Sequence, residues 1–260
     1  MKKQIQCLFL IAIFLISGLA LASGVSNEGY IESEGVVYPE PGESLNNMRK
    51  VSILEAYRYL AEEVDNLQIS SATTVKKSRL VDDEINTKVS TIVRGAKVTS
   101  VYRDSDGAFH AIVRLPIYGS SNSIASAVLK EHSTVEDFPK PKFTNIESGS
   151  FDKNYTGLIV DCRGLNISVA ISPSIKSESG EEIYAYKQVS YQTVVDKGMV
   201  DYSDSIDSGI QRAGSNPLIV KAVKTSGDCD AVISQSDSDK VLSANQTSKF
   251  LNNCMVVFVR

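Results

Sequence analysis

AKVTSVYRDSDGAFHAIVRLPIY, residues 96–118, is the stretch whose reading decides the fold. Two β-rich runs, Ala96 to Tyr102 and Ala108 to Tyr118, flank Asp104-Ser105-Asp106-Gly107. Short β-branched and aromatic runs around an Asp/Gly turn predict a hairpin. Phe109, Ala111, Val113 and Leu115 alternate along the second run and line one face. A hairpin needs a cover for that face, and the preceding residues supply it.

Upstream, Val51, Leu54, Tyr57, Ala61 and Val64 recur at steps of three and four, with Glu55, Arg58 and Glu62 between them. That spacing predicts an amphipathic helix starting near Asn47, capped by Asn46 or Asn47 and closed at Asp65-Asn66. Leu67 to Val75 alternates like a strand. A second helix fits 79–94 through Val81, Ile85, Val89 and Val93, with Gly95 in the place of a left-handed C-terminal residue. Residues 46–118 therefore read as α-β-α-β-β: a three-stranded antiparallel sheet with both helices on one face.

Downstream, residues 119–153 read as a connector. A short helix is expected within Ser120–His132, and the Pro139 and Pro141 run permits no regular helix. Residues 154–260 form a second unit. Gly157–Asp161, Leu218–Ala222, Ala231–Ile233 and Cys254–Val259 read as strands, and a hairpin is expected around Ser177-Glu178-Ser179-Gly180. Helices are expected at 191–197, 204–213 and 237–250, the last capped by Asp237. The fold class is α+β (mixed α/β), with the N-terminal sheet followed by an α/β unit.

The beginning of the chain sets the compartment. Lys2 and Lys3 precede an apolar run from Cys7 to Ile16, and Ala20-Leu21-Ala22 ends on small residues. This is the layout of a secretory signal peptide, residues 1–22, cleaved before Ser23. The run is short for a ~30 Å hydrocarbon core. A lipidated start needs a Cys after the small residues, and Ser23 stands there, so no lipid anchor is expected. Residues 23–45, rich in Gly, Glu and Ser, read as an exposed leader.

Removing residues 1–22 takes away two lysines and no acid, leaving 25 basic against 31 acidic residues. That balance argues against nucleic-acid binding and against a polybasic membrane anchor. Export permits a disulfide. Cys229 stands just before Ala231–Ile233 and Cys254 in the last apolar run; they make the natural pair if those strands are neighbours, with Cys162 then a small buried residue, and the alternative is three unpaired buried thiols.

Chemistry-bearing patterns are sparse. His110 and His132 are the only histidines, and neither has a ligand partner near in sequence, so no metal is expected. A calcium loop starting at Asp104 needs Gly at its sixth position and Glu at its twelfth, where Phe109 and Leu115 stand. Asp201, Asp204 and Asp207 read as caps and solvated charges at a helix start. Neither phosphate-binding glycine motif occurs, and no cofactor is expected. Asp161-Cys162-Arg163 places an acid, a thiol and a base after a buried strand, where α/β sheets host sites. Arg163 there is a means of activating Cys162, but no His base is evident, and strand-end packing with an Asp161–Arg163 pair steadying the turn is the favoured reading.

The run Ala56-Tyr57-Arg58-Tyr59-Leu60-Ala61-Glu62-Glu63-Val64, with Thr87-Lys88-Val89 and Gly95-Ala96-Lys97-Val98, resembles the Lpp-twenty-type lipoprotein domain. It is similar also to the N-terminal domain of the flagellar assembly protein FlgT. The resemblance covers about residues 46–118 and carries no catalytic motif. It implies an envelope protein of Gram-negative bacteria with outer-membrane or flagellar protein partners. The expected function is non-enzymatic docking in the periplasm, with an oligomer allowed. The rivals are an enzyme centred on Cys162 and a small-ligand module with its cleft between the units.

Overall fold

The computed structural model describes residues 29–39, 41–142 and 154–260. The expected signal peptide (1–22), the start of the leader and the end of the connector lie outside the described residues.

The first unit contains β1 (Tyr30–Val37), α1 (Leu45–Asn66), β2 (Gln68–Ser70), β3 (Thr73–Thr74), α2 (Val75–Val81), α3 (Asp83–Arg94), β4 (Lys97–Arg103) and β5 (Phe109–Pro116). The 96–118 hairpin forms as β4–β5, and its turn is held by Asp104 Oδ1, which accepts the amides of Asp106 and Ala108. The sheet order is β1-β5-β4, antiparallel throughout.

The third strand is therefore β1, which corrects two expectations. Residues 30–37 are not an exposed leader, and the 67–75 segment folds back on itself as a separate β2–β3 pair. The inward positions of β1 are Ile31, Ser33 and Gly35, opposite Leu115, Val113 and Ala111. Only one is a large apolar residue, so no hydrophobic alternation announces the strand. Packing explains the small residues. A Cβ on Gly35 would stand 2.1 Å from Ser52 O and 2.4 Å from Ala56 N of α1.

The same close approach moves the buried stripe of α1. The residues facing the sheet are Met48, Ser52, Ala56, Leu60 and Val64, and Leu54 of the expected stripe is 66% exposed. Ser44, one turn earlier than expected, caps the helix by accepting the amide of Asn47. The expected 79–94 helix is two helices, because Asp82 ends one and caps the next, accepting the amides of Glu84 and Ile85. Gly95 ends α3 at φ −87°, not in the left-handed region.

The connector is partly core. It carries α4 (Ile124–Val128), and Ile124, Ala125, Ala127 and Val128 are buried. Farther on, the Glu136 amide donates to Lys187 O and the Lys142 amide to Asp239 Oδ1. The proline-rich run is thus pinned along the second unit as extended chain.

The second unit contains β6 (Gly157–Asp161), β7 (Ile175–Ser177), β8 (Glu182–Tyr184), α5 (Tyr191–Lys197), β9 (Asp201–Ser203), α6 (Ile206–Ala213), β10 (Pro217–Ser226), β11 (Asp230–Ile233), α7 (Gln235–Ser248) and β12 (Val256–Val259). Ser234, not Asp237, caps α7. The seven strands run in the order β8-β7-β11-β10-β6-β12-β9. Strands β10, β6, β12 and β9 are parallel, and the β10–β11 and β7–β8 pairs are antiparallel hairpins. Central strands β6 and β12 are buried on both faces and read as continuous apolar runs, as parallel strands do. α6 lies against one face, with Ile206 and Ala213 against Ile159, Val257 and Val259.

One large hydrophobic core runs through both units, apart from the smaller cluster under α6. At the seam, the amides of Ile171 and Ser172 donate to Gln68 O and Ile69 O, and the Tyr118 hydroxyl donates to Ile171 O. The β2–β3 hairpin, spare to the N-terminal sheet, thus becomes the graft between the units.

Candidate functional site

The strand-end residues Asp161, Cys162 and Arg163 are placed by β6. Arg163 donates Nε and Nη2 to the two oxygens of Asp161, each at 2.8 Å, and its amide also donates to Oδ1. That clasp holds the Asp161 carboxyl down at about 2. Cys162 points the other way. It is fully buried, and burial first, then the Asp161 charge, pushes its thiol up to about 12. The guanidinium serves the carboxylate and leaves the thiol protonated, so the favoured reading of an Asp–Arg pair steadying the strand end holds, and the rival activation of Cys162 by Arg163 is absent.

Cys162, Cys229 and Cys254 are all free and buried. Of the two readings left open, three unpaired buried thiols holds and the Cys229–Cys254 bond is not formed, and topology gives the reason. β10 and β6 stand between β11 and β12, and β11 runs opposite to β12. The two cysteines, each just before its strand, therefore sit at opposite ends of the sheet.

His110 lies on the outer face of the N-terminal sheet between Glu34 Oε1 (2.8 Å) and Asp104 Oδ2 (3.0 Å), stacked on Tyr102 with ring centroids 4.7 Å apart. Desolvation works to lower its pKa; the bonds to Asp104 and Glu34 outweigh it, and the net direction is upward. His132 is engaged through Nε2 with Val189 O. No group of three or more His, Cys, Asp or Glu side chains suited to a metal occurs among the described residues. Asp201, Asp204 and Asp207 are dispersed over the start of β9, an exposed loop and the first turn of α6, which Ser205 caps.

The seam holds what the sequence did not display. A cleft of about 310 Å³ is bounded by Leu67 and Tyr118 from the first unit and by Ile171, Asp201, Tyr202 and Arg212 from the second. Arg212 stands in the last turn of α6, where a cation reads as an ordinary helix-end charge. Its fork instead reaches Cys254 O (2.8 Å), Lys197 O (2.6 Å) and Gly198 O (2.6 Å). Tyr202 is anchored at Ala170, whose amide donates to the phenol oxygen at 3.0 Å.

A second, more polar hollow of about 490 Å³ lies between the β2–β3 hairpin and β7. In its wall Lys176 Nζ meets Asp230 Oδ2 at 2.8 Å, and the Ser174 amide donates to Asp230 Oδ1 at 2.9 Å. Burial alone would raise the Asp230 carboxyl, but the bonds from Lys176 and Ser174 win and lower it. Neither partner is marked by sequence spacing, since 54 residues separate them.

The exposed edges complete the inventory. Among the described residues β4 pairs only with β5, so they leave its outer edge open along Lys97–Arg103. Its bulge between Val98 and Ser100 and its terminal cations are devices that discourage indiscriminate strand pairing. No helix among the described residues is long and apolar enough to cross a membrane.

No curated protein matches the chain. A family model described as the second domain of Treponema pallidum Tp0624 matches residues 157–260. That match begins at the first residue of β6 and spans all seven strands of the larger sheet, so the second unit is similar to that Treponema domain over its whole sheet.

Proposed function

We propose that this chain is a non-enzymatic protein of the bacterial envelope that works by docking to other proteins, with flagellar or outer-membrane components as partners. The observation that carries this reading is the open β4 edge, seven residues long, beside a sheet face of ordered polar side chains. On that face Arg114 pairs with Glu32 and stacks on Tyr30, and His110 bridges Glu34 and Asp104. A partner strand would add to β4 through its main chain, and Lys97 and Arg103 select an acidic one. The signal-like residues 1–22 and the resemblance of residues 46–118 to envelope domains support the compartment.

A photo-crosslinking residue at Thr99, on the β4 edge, tests this in cells. The expected result is a discrete crosslinked envelope protein, absent when the crosslinker sits at Leu54 on the outward side of α1. Intact precursor in the cytosol, or no difference between the two positions, refutes the proposal.

A further inference from the structure

We propose that the 310 Å³ cleft at the seam between the two units binds a small zwitterion with an apolar body, of the class of a free branched or aromatic amino acid. This inference is independent of docking through β4. Two opposite charges line one cleft without meeting each other. Arg212 and Asp201 are both half-buried, and the described residues join neither in an ion pair with the other.

Arg212 is positioned but not neutralised. A guanidinium has five N–H donors. Among the described residues three go to the carbonyls of Cys254, Lys197 and Gly198, two remain, and no carboxylate is a partner. Carbonyl dipoles fix the half-buried group in place, yet they leave its positive charge for a carboxylate to satisfy. Asp201 holds its own chain in place by accepting the Tyr202 amide through Oδ1. Asp201 lines the same cleft, and its charge suits an ammonium group. At the rim, Asp196 and Lys197 are exposed and again of opposite sign. A simple anion would meet Arg212 but be repelled by Asp201 and Asp196. A simple cation meets the reverse. A zwitterion satisfies both.

The remaining walls set the body of the ligand. Leu67, Ile117, Ile171 and Val200 are apolar, and the rings of Tyr118 and Tyr202 have their hydroxyls already bonded to backbone. The volume stands at the bottom of the range for small-molecule sites, roughly 300–1,000 Å³, which fits one amino acid better than a peptide.

Titration calorimetry on the purified chain tests the assignment with L-leucine and L-phenylalanine. The controls are 4-methylpentanoate, which lacks the amine of leucine, and 3-methylbutylamine, which lacks its carboxylate. The expected result is saturable binding of at least one amino acid, with both leucine fragments weaker than leucine by about tenfold or more. Asp201→Asn keeps the acceptor for Tyr202 and removes the charge. It should weaken leucine by about tenfold and strengthen 4-methylpentanoate, which the Asp201 charge no longer repels. Val169→Trp, which fills the cleft without touching either charge, should abolish all binding. Absence of heat from both amino acids overturns the proposal. So does equal binding of leucine and its fragments, or leucine affinity unaltered in Asp201→Asn.

Discussion

Replacing Gly35 by alanine tests the account of the N-terminal unit more sharply than any other single change. The new methyl would sit 2.1 Å from Ser52 O, 2.4 Å from Ala56 N and 2.9 Å from Glu55 Cβ. Two of these are backbone atoms in the middle of a 22-residue helix, so no side chain can swing aside. Relief requires α1 and β1 to part by about 1 Å, which loosens Ile31, Leu60 and Ala56 together. Overpacking of this kind costs about 3 kcal/mol. An opposing effect exists, because alanine restricts the unfolded chain and stabilises by about 0.5–1 kcal/mol. The clash wins, and the net loss is about 2 kcal/mol. For a domain of this size that corresponds to a fall in Tm of about 4–8 °C. Thermal unfolding followed by far-UV circular dichroism reads the effect, with Ser33→Ala as the control on the same strand and face. Ser33 Oγ is buried with no hydrogen-bond partner among the described residues, so its removal should be neutral or raise Tm. A Gly35→Ala protein as stable as wild type would refute the close packing of β1 on α1, and with it the assignment of β1 as the third strand.

Other outcomes follow from the second unit and from the titrating groups. Lys176→Met leaves Asp230 charged and 3% exposed, and should cost about 2–3 kcal/mol at neutral pH by chemical denaturation. Because the Asp230 carboxyl is lowered on folding, its contribution is present above its ordinary value of 3.8 and is lost as pH falls through the folded value; the gap between Lys176→Met and wild type should narrow in acid. His110 has the opposite sign. Its raised pKa adds stability that is full below the ordinary 6.5 and is lost as pH rises through the folded value, so wild type should lose more Tm than His110→Gln on going from pH 6 upward. Cys162, Cys229 and Cys254 should all resist iodoacetamide in the folded protein and all react in denaturant; rapid native labelling of Cys162 would revive the enzyme reading.

Local pattern was enough to specify the β4–β5 hairpin, the buried strand β6 and helix α5, because each rests on signals contained within a few residues: an Asp/Gly turn, a β-branched run, a helical period beside a glycine. The α+β class follows from those elements. The residues 30–37 escaped that reading for a definite reason. Hydrophobic alternation reports burial only where there is room for large side chains, and Gly35 and Ser33 are buried where there is none. The stripe of α1 shifted by the same cause, toward Ser52 and Ala56. Sheet order was equally hidden. It is set by which strands meet across as many as 98 residues, and it alone parts Cys229 from Cys254 and turns Cys162 away from solvent. The seam is the extreme case. Arg212, Asp201 and Tyr118 carry no shared spacing, and they come to line one cleft only because the β2–β3 hairpin joins two units into one core. Short-range chemistry fixed the pieces of this protein; the long-range meeting of backbones decided which charges face each other.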